Sequence, residues 1–175
     1  MRNLTWIMLF GSLCVSSASR AADDVAAAQR AVLDQALLLA GLQFARPPIV
    51  LTPVLPWPAS RGAEAWTVYD EHNQADRIFV YTGSELFQCA SRRPRPDWPC
   101  VLKLASILIH EAWHFRNGRD EVGAYDAQLA FLLQNGSDAV ASGVRAARDR
   151  VRAAKQRASD AVILKLQQLE VVSLR

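Results

Sequence analysis

The spacing of apolar and polar residues predicts helices over most of the chain. Residues 25–41 place apolar side chains three or four positions apart, with Asp23 or Asp24 as the N-cap and Gly41 just past the end. Residues 101–117 are apolar nearly all round, which is typical of a helix in the protein interior. The chain is therefore predicted to fold around this buried helix.

Two further helices are predicted after it. Asp120 is placed to cap a helix over residues 121–135, and Ser137 to cap a long last helix over about 138–170. The last helix repeats small and apolar residues at alternating steps of three and four, as a coiled-coil seam does. The seam consists of Val144, Ala147, Val151, Ala154, Ala158 and Ala161. It favours packing against another helix, so a helical partner or a homodimer is among the expectations.

Two short runs rich in β-branched and aromatic residues, 66–69 and 78–82, are separated by a polar stretch and predict a hairpin. Frequent prolines in residues 47–58 exclude a helix there and favour an extended or turning segment. Together these patterns predict an α+β fold, a helix-dominated single domain with a small β-sheet beside the buried helix.

The first 21 residues have the pattern of a signal peptide. The first residues carry a positive charge on Arg2. They are followed by an apolar run over residues 4–15 that is short for a membrane-spanning helix. Ser19 and Ala21 supply the small residues that a signal peptidase requires, which predicts cleavage after Ala21 or one or two residues away. A retained membrane anchor is the alternative. The expectation is a domain over residues 22–175, periplasmic or secreted, with no membrane contact after the signal is removed.

The basic composition does not indicate a nucleic-acid partner. The formal net charge is +3, and the predicted signal carries Arg2 and Arg20 without any acid, so its removal lowers that charge by two. The last helix is basic, but no aromatic residues are interleaved with its arginines to stack on bases. A solvated helix face is the favoured interpretation.

Two cysteines remain after the predicted signal, Cys89 and Cys100, on either side of a proline-rich basic loop. In an oxidising compartment such a pair predicts a disulfide bond. Two independent buried thiols are the alternative. Zinc binding by this pair is disfavoured, because the spacing lacks the short Cys-x-x-Cys separation.

The strongest chemical signal is the sequence His110-Glu111-Ala112-Trp113-His114. Residues four apart lie on the same face of a helix, so the imidazoles of His110 and His114 can converge on one zinc ion. From the adjacent position the Glu111 carboxylate can take a proton from an attacking water as general base. A pair of core histidines without metal is the alternative. The third histidine, His72, falls in the polar hairpin turn and is expected to be solvated.

This motif and the acids after it resemble the zincin metallopeptidases over roughly residues 101–134. In the gluzincins, a helix downstream of the two histidines supplies a glutamate as the third zinc ligand. Glu121, followed by Ala124 and Tyr125, matches this arrangement, but fewer residues separate it from His114. Tyr125 stands where many gluzincins have an orienting aspartate. The resemblance implies Zn²⁺ as the cofactor and Glu121 as its third ligand.

The metzincin plan is the second choice. Its turn glycine would fall at Asn117, and its third ligand would be Asp120. The glycine that is present, Gly118, lies one place later, which moves the ligand position to Glu121. Glu121 is therefore preferred and Asp120 is the alternative metal ligand.

The resemblance also implies a strand beside the active helix that holds extended substrate by strand addition, with residues 78–82 as the candidate. Tyr125 and Tyr81 are candidates for a hydroxyl that stabilises the transition state. The expected function is an exported zinc hydrolase that cleaves a peptide or related amide bond, with a peptide or protein as substrate. A non-catalytic zinc-binding or interaction protein on the same scaffold is the alternative.

Overall fold

The computed structural model describes residues 5–43, 47–55, 62–92 and 97–173, with side chains described between residues 22 and 163 of these ranges. Helices dominate, and one small sheet accompanies them, which confirms the predicted α+β class. Along the chain the elements are α1 (Thr5–Leu39), β1 (Ile49–Thr52), β2 (Ala65–Tyr69), β3 (Ala75–Tyr81), α2 (Glu85–Ala90), α3 (Trp98–Asn117), α4 (Glu121–Gln134) and α5 (Asp138–Ser173).

The sheet has three strands in the order β1-β3-β2. The predicted hairpin is present as the antiparallel pair β2 and β3, with Trp66 opposite Phe79 and their rings stacked at 5.5 Å. Strand β1, which was expected only to be extended or turning, pairs with β3 in parallel. Its four residues, IVLT, lie between Pro48 and Pro53. Because this stretch contains no proline, each residue keeps the backbone N–H that a sheet requires.

The central position of β3 contradicts one expectation. Residues 78–80 are paired with β1 on one side and with β2 on the other, and the Tyr81 N–H donates to the Glu64 carbonyl, so this run offers no edge for an added strand. Among the strands that the structure describes, β2 is the edge strand that contacts α3. Two-sided pairing follows from the apolar side chains of β3, among which Ile78 and Val80 are fully buried.

Helix α3 lies in the interior, as its apolar sequence predicted. It begins after Asp97, with a proline in its first turn, and packs against the sheet and against α1, α2 and α4. Its side chains Leu104 and Leu108 are fully buried in the main core. A helix surrounded in this way holds its side chains in fixed positions, which suits a precise site.

Helix α1 starts earlier than predicted. It runs without a break from Thr5, so Asp23 and Asp24 are exposed residues inside the helix and do not cap it. The apolar and alanine-rich residues on both sides of the predicted cleavage point favour helix, which explains the continuity. Its end agrees with the prediction, because Gly41 takes a positive φ of 68°. Within the described ranges, no helix combines the length and the apolar character that crossing a membrane requires.

The predicted disulfide between Cys89 and Cys100 is present and joins α2 to the first turn of α3.

Helix α4 starts at Glu121 as predicted and packs against both α3 and α5. The seam on α5 is covered only near its start. Val144, Ala147 and Val151 are half-buried, whereas Ala154 and the later seam residues are exposed.

Candidate metal centre

Three side chains from two helices bring their ligand atoms together. His110 and His114 lie one turn apart on α3, and Glu121 is the first residue of α4. Glu121 Oε2 is 3.3 Å from His110 Nε2, and Glu121 Oε1 is 3.6 Å from His114 Nε2. Within the described part of the chain, the ligand atoms of these residues form a group, all within 4.8 Å of one another, that can hold a metal ion. The sequence had indicated the same three residues.

The turn between α3 and α4 explains this convergence. Gly118 ends α3 with φ 69° and ψ −149°, a conformation that is essentially restricted to glycine. Its N–H donates to the His114 carbonyl, and its own carbonyl lies 2.7 Å from His114 Nδ1. Since a carbonyl only accepts, Nδ1 of His114 is the donor in this contact, and Nε2 is the ring nitrogen that faces Glu121.

The Glu111 carboxylate is buried beside the donor group. Thr67 on β2 donates from Oγ1 to Glu111 Oε2 at 2.8 Å, and the same hydroxyl lies 3.2 Å from the Glu111 carbonyl. Burial raises the pKa of Glu111, while the charge of His110 and the Thr67 hydrogen bond act in the opposite direction. The pKa of Glu121 is lowered, chiefly by its hydrogen bond with His110. The two carboxylates therefore differ in environment, because Glu111 is buried whereas Glu121 is half exposed and faces both histidines.

Asp120, the alternative ligand, lies outside the donor group. It occupies the N-cap position of α4, but its side chain makes no capping hydrogen bond, so the expected capping role is wrong. Its Oδ1 lies 3.8 Å from Lys155 Nζ on α5 instead. Its Oδ1 thus faces the last helix, and Asp120 does not belong to the donor group.

Two tyrosines lie against the histidine rings. The ring of Tyr125 is 4.5 Å from that of His110, edge to face, and the ring of Tyr69 is 6.4 Å from that of His114. The hydroxyl of Tyr69 is buried without a hydrogen-bond partner among the described residues, and burial is the main cause that raises the pKa of both tyrosines. Tyr81, the other predicted candidate, lines a separate depression beside Gly83. The site therefore includes Tyr125 and Tyr69 but not Tyr81.

The β2–β3 turn is tied to the turn that precedes Glu121. Arg119 lies over the Tyr69 ring at 4.1 Å, and its Nε donates to Asn73 Oδ1 at 2.7 Å. Asn73 is the one non-glycine residue of the described chain with a positive φ, 59°, which asparagine tolerates. His72, in the same turn, is exposed and takes no part in the donor group, as expected.

The three residues of the donor group line a cleft of about 740 Å³. Its walls come from β2, α3 and the start of α4, and they include Thr67, Tyr69, Arg119 and Tyr125. This volume is within the range of small-ligand and substrate sites. The histidine spacing was visible in the sequence, whereas Thr67 and Tyr69 join the site only through the packing of β2 on α3.

Comparisons of the chain with protein-family models, with curated proteins and with solved structures found no match.

Proposed function

We propose that this protein is a zinc-dependent hydrolase of peptide or related amide bonds, similar in its site to the zincin metallopeptidases. The observation that carries the proposal is the convergence of His110, His114 and Glu121 beside a separate buried carboxylate, Glu111. Two imidazoles and one carboxylate form a donor set typical of catalytic zinc, which keeps one position open. With the Nδ1 of His114 donating to the Gly118 carbonyl, the neutral imidazole offers its Nε2 lone pair to a metal.

When bound, zinc supplies Lewis acidity toward a carbonyl and lowers the pKa of water. Glu111 then accepts the proton of the water that attacks the scissile carbonyl and delivers it to the leaving amine. Thr67 holds the Glu111 carboxylate by its hydrogen bond at 2.8 Å. The Tyr125 ring, 4.5 Å from the His110 ring and on the wall of the cleft, supports its hydroxyl as the donor to the oxygen on which negative charge develops.

The free edge of β2 supports an extended peptide as substrate. Tyr81 N–H donates to the Glu64 carbonyl, so in this antiparallel pair the backbone groups of Ala65, Thr67 and Tyr69 point away from β3. These three residues also line the cleft. A substrate strand added at this edge would pass across the donor group with its backbone hydrogen-bonded to β2.

The disulfide between Cys89 and Cys100 supports a site of action in an oxidising compartment, the periplasm or the medium, in agreement with the predicted signal peptide. The exposed part of the α5 seam is the surface we propose for a helical partner or a second copy.

The test is digestion of a broad peptide library by purified protein, with zinc analysis of the same samples. We expect one zinc per chain and cleavage by the wild type, and in Glu111→Gln the same zinc with cleavage reduced at least about a hundredfold, since an amide is no general base. Zinc without cleavage in the wild type would favour the non-catalytic zinc-binding alternative. Full cleavage by Glu111→Gln would refute the assigned base.

A further inference from the structure

Two turns that are far apart in the sequence meet at Arg119. One is the link between α3 and α4, which carries Arg119, and the other is the β2–β3 turn, which carries Asn73. Arg119 Nε donates to Asn73 Oδ1 at 2.7 Å, and the guanidinium carbon lies 4.1 Å from the centre of the Tyr69 ring. A charged donor makes a stronger hydrogen bond than a neutral one, and the face of an aromatic ring attracts a cation. We refer to these three residues as the Arg119 bridge.

The β2–β3 turn holds the Asn73 amide in a defined position. Asp70 Oδ1 accepts from the N–H groups of His72 and Gln74 at 2.9 and 2.8 Å, and the Asp70 carbonyl accepts from the Asn73 N–H at 3.1 Å. The backbone of Asn73 is left-handed, with φ 59°, a conformation that asparagine adopts more readily than most residues. A hydrogen-bonded turn therefore supplies the acceptor for Arg119.

Arg119 lies between two parts of the donor group. The Glu121 N–H donates to the Arg119 carbonyl at 3.1 Å. The residue before Arg119, Gly118, is hydrogen-bonded to His114 through both its N–H and its carbonyl. A shift of the Arg119 backbone would therefore be passed to the carboxylate ligand on one side and to a histidine on the other.

The first turn of α4 lacks the restraint that a helix cap supplies. Asp120 stands at the N-cap but makes no side-chain capping hydrogen bond, and the Glu121 side chain is 51 % exposed. An exposed carboxylate at an uncapped helix end loses conformational entropy when it is fixed beside the histidines. A contact that holds the preceding turn in place reduces this loss when a metal binds.

We propose that Arg119 is a positioning residue, which fixes Glu121 for metal binding through its bridge to Asn73 and Tyr69. The bridge also couples the metal centre to the β2–β3 turn, because Tyr69 is the last residue of β2 and lines the cleft. Coupling of this kind is reciprocal, so if the bridge strengthens zinc binding, bound zinc must stabilise the bridged turn. The inference rests on the zinc centre of the proposed function and is independent of peptide cleavage.

Asn73 allows the bridge to be broken without strain. Asn73→Gly removes the acceptor and keeps a residue that adopts a positive φ at no steric cost, whereas Asn73→Asp keeps an acceptor oxygen and adds a charge opposite to that of Arg119. Arg119→Ala removes the other side of the bridge. Its matched control is Arg116→Ala, which loses the same charge from an exposed position near the end of α3 that does not line the cleft.

The experiment measures the zinc Kd of each variant by competition with a chelator. We expect Asn73→Gly and Arg119→Ala to bind zinc about tenfold more weakly than Arg116→Ala does, and Asn73→Asp to bind it at least as tightly as the wild type. The double variant Asn73→Gly/Arg119→Ala should bind no more weakly than Arg119→Ala alone, since both changes break one bridge. Equal Kd values for Arg116→Ala and the two single variants, or losses that add in the double variant, would overturn the proposal.

Hydrogen exchange in the β2–β3 turn gives a second readout, which a general loss of stability would not reproduce. Zinc should slow exchange over residues 69–75 on the order of tenfold in the wild type, the factor by which the bridge changes the zinc Kd. Zinc should leave this exchange unchanged in Arg119→Ala. Exchange that does not respond to bound zinc in the wild type would overturn the proposal.

These readouts separate the role of Arg119 from the proposed function. If the wild type binds zinc and cleaves no peptide, the differences in Kd and exchange still support Arg119 as a positioning residue, and the hydrolase proposal fails. If the wild type cleaves peptides and all variants bind zinc equally, the hydrolase proposal stands and the role of Arg119 fails. A wild type that binds no zinc would overturn both.

Discussion

Thr67 and Glu111, 44 residues apart in the chain, are joined by a hydrogen bond of 2.8 Å from the threonine hydroxyl to Glu111 Oε2. The bond connects the edge strand β2 with the central helix α3. It fixes one oxygen of a buried carboxylate, and the other oxygen, Oε1, takes no part in this bond. The bond thereby fixes the position of Glu111, the proposed general base, relative to β2, the strand proposed to hold the substrate.

Replacement of Thr67 by valine keeps the shape of the side chain and removes this bond. We expect kcat to fall about ten- to a hundredfold, as for other residues that orient catalytic groups, with zinc content unchanged. The matched control is Thr82→Val, which removes the hydrogen bond from Thr82 Oγ1 to the Thr52 carbonyl between β1 and the end of β3. Equal losses of kcat in both variants would show that Thr67 acts only through stability.

The conformation of Gly118 predicts a link between the turn and the metal affinity. Gly118→Ala should cost about 1–3 kcal/mol of folding free energy, because an L-residue is strained at φ 69° and ψ −149°. Nothing lies within 4 Å of the added Cβ, so the cost comes from the backbone alone. We also expect weaker zinc binding, measured by competition with a chelator, because the turn positions both His114 and Glu121.

Gly136→Ala is the control for this turn. Gly136 also has a positive φ, 65°, and free space around a Cβ, but it lies between α4 and α5. It should lower the melting temperature without changing the zinc affinity. If Gly118→Ala binds zinc as tightly as Gly136→Ala does, the turn does not position the ligands.

The disulfide should contribute to stability and not to the metal centre. Cys89 and Cys100 are 11 residues apart, and closing a loop of this length contributes about 3 kcal/mol in the chain-entropy model. Replacement of both cysteines by serine should lower the melting temperature while zinc stays bound. Two free thiols in protein recovered from the periplasm would contradict the disulfide.

Much of the fold was predictable because local patterns determine it. The buried helix over residues 101–117 and the hairpin followed from apolar spacing and β-branched runs, and the start of α4 at Glu121 was predicted although Asp120 makes no capping hydrogen bond. Strand β1 was missed, because four residues between prolines carry too short a pattern, and its pairing with β3 is a long-range contact. Helix α2, six residues long, was missed for a similar reason, although Ser84 caps it by accepting from the Phe87 N–H.

The residues of the site were likewise predictable only where a local pattern determines their position. His110 and His114 were visible because the helical repeat alone brings residues four apart together. Glu121 was preferred over Asp120 from the position of Gly118, and its carboxylate is the one that joins the histidines. Thr67 and Tyr69 gave no signal, because their role depends on which face of β2 packs on α3.

The most direct test of the central claim is the zinc content of three proteins purified in parallel: wild type, Glu121→Ala and Asp120→Ala. Elemental analysis after dialysis against a weak chelator gives the zinc bound per chain, and X-ray absorption at the zinc edge counts the histidine ligands. We predict one zinc with two histidine ligands in the wild type and in Asp120→Ala, and loss of zinc from Glu121→Ala. Zinc lost from Asp120→Ala and retained by Glu121→Ala would contradict this account and favour the metzincin-like ligand set.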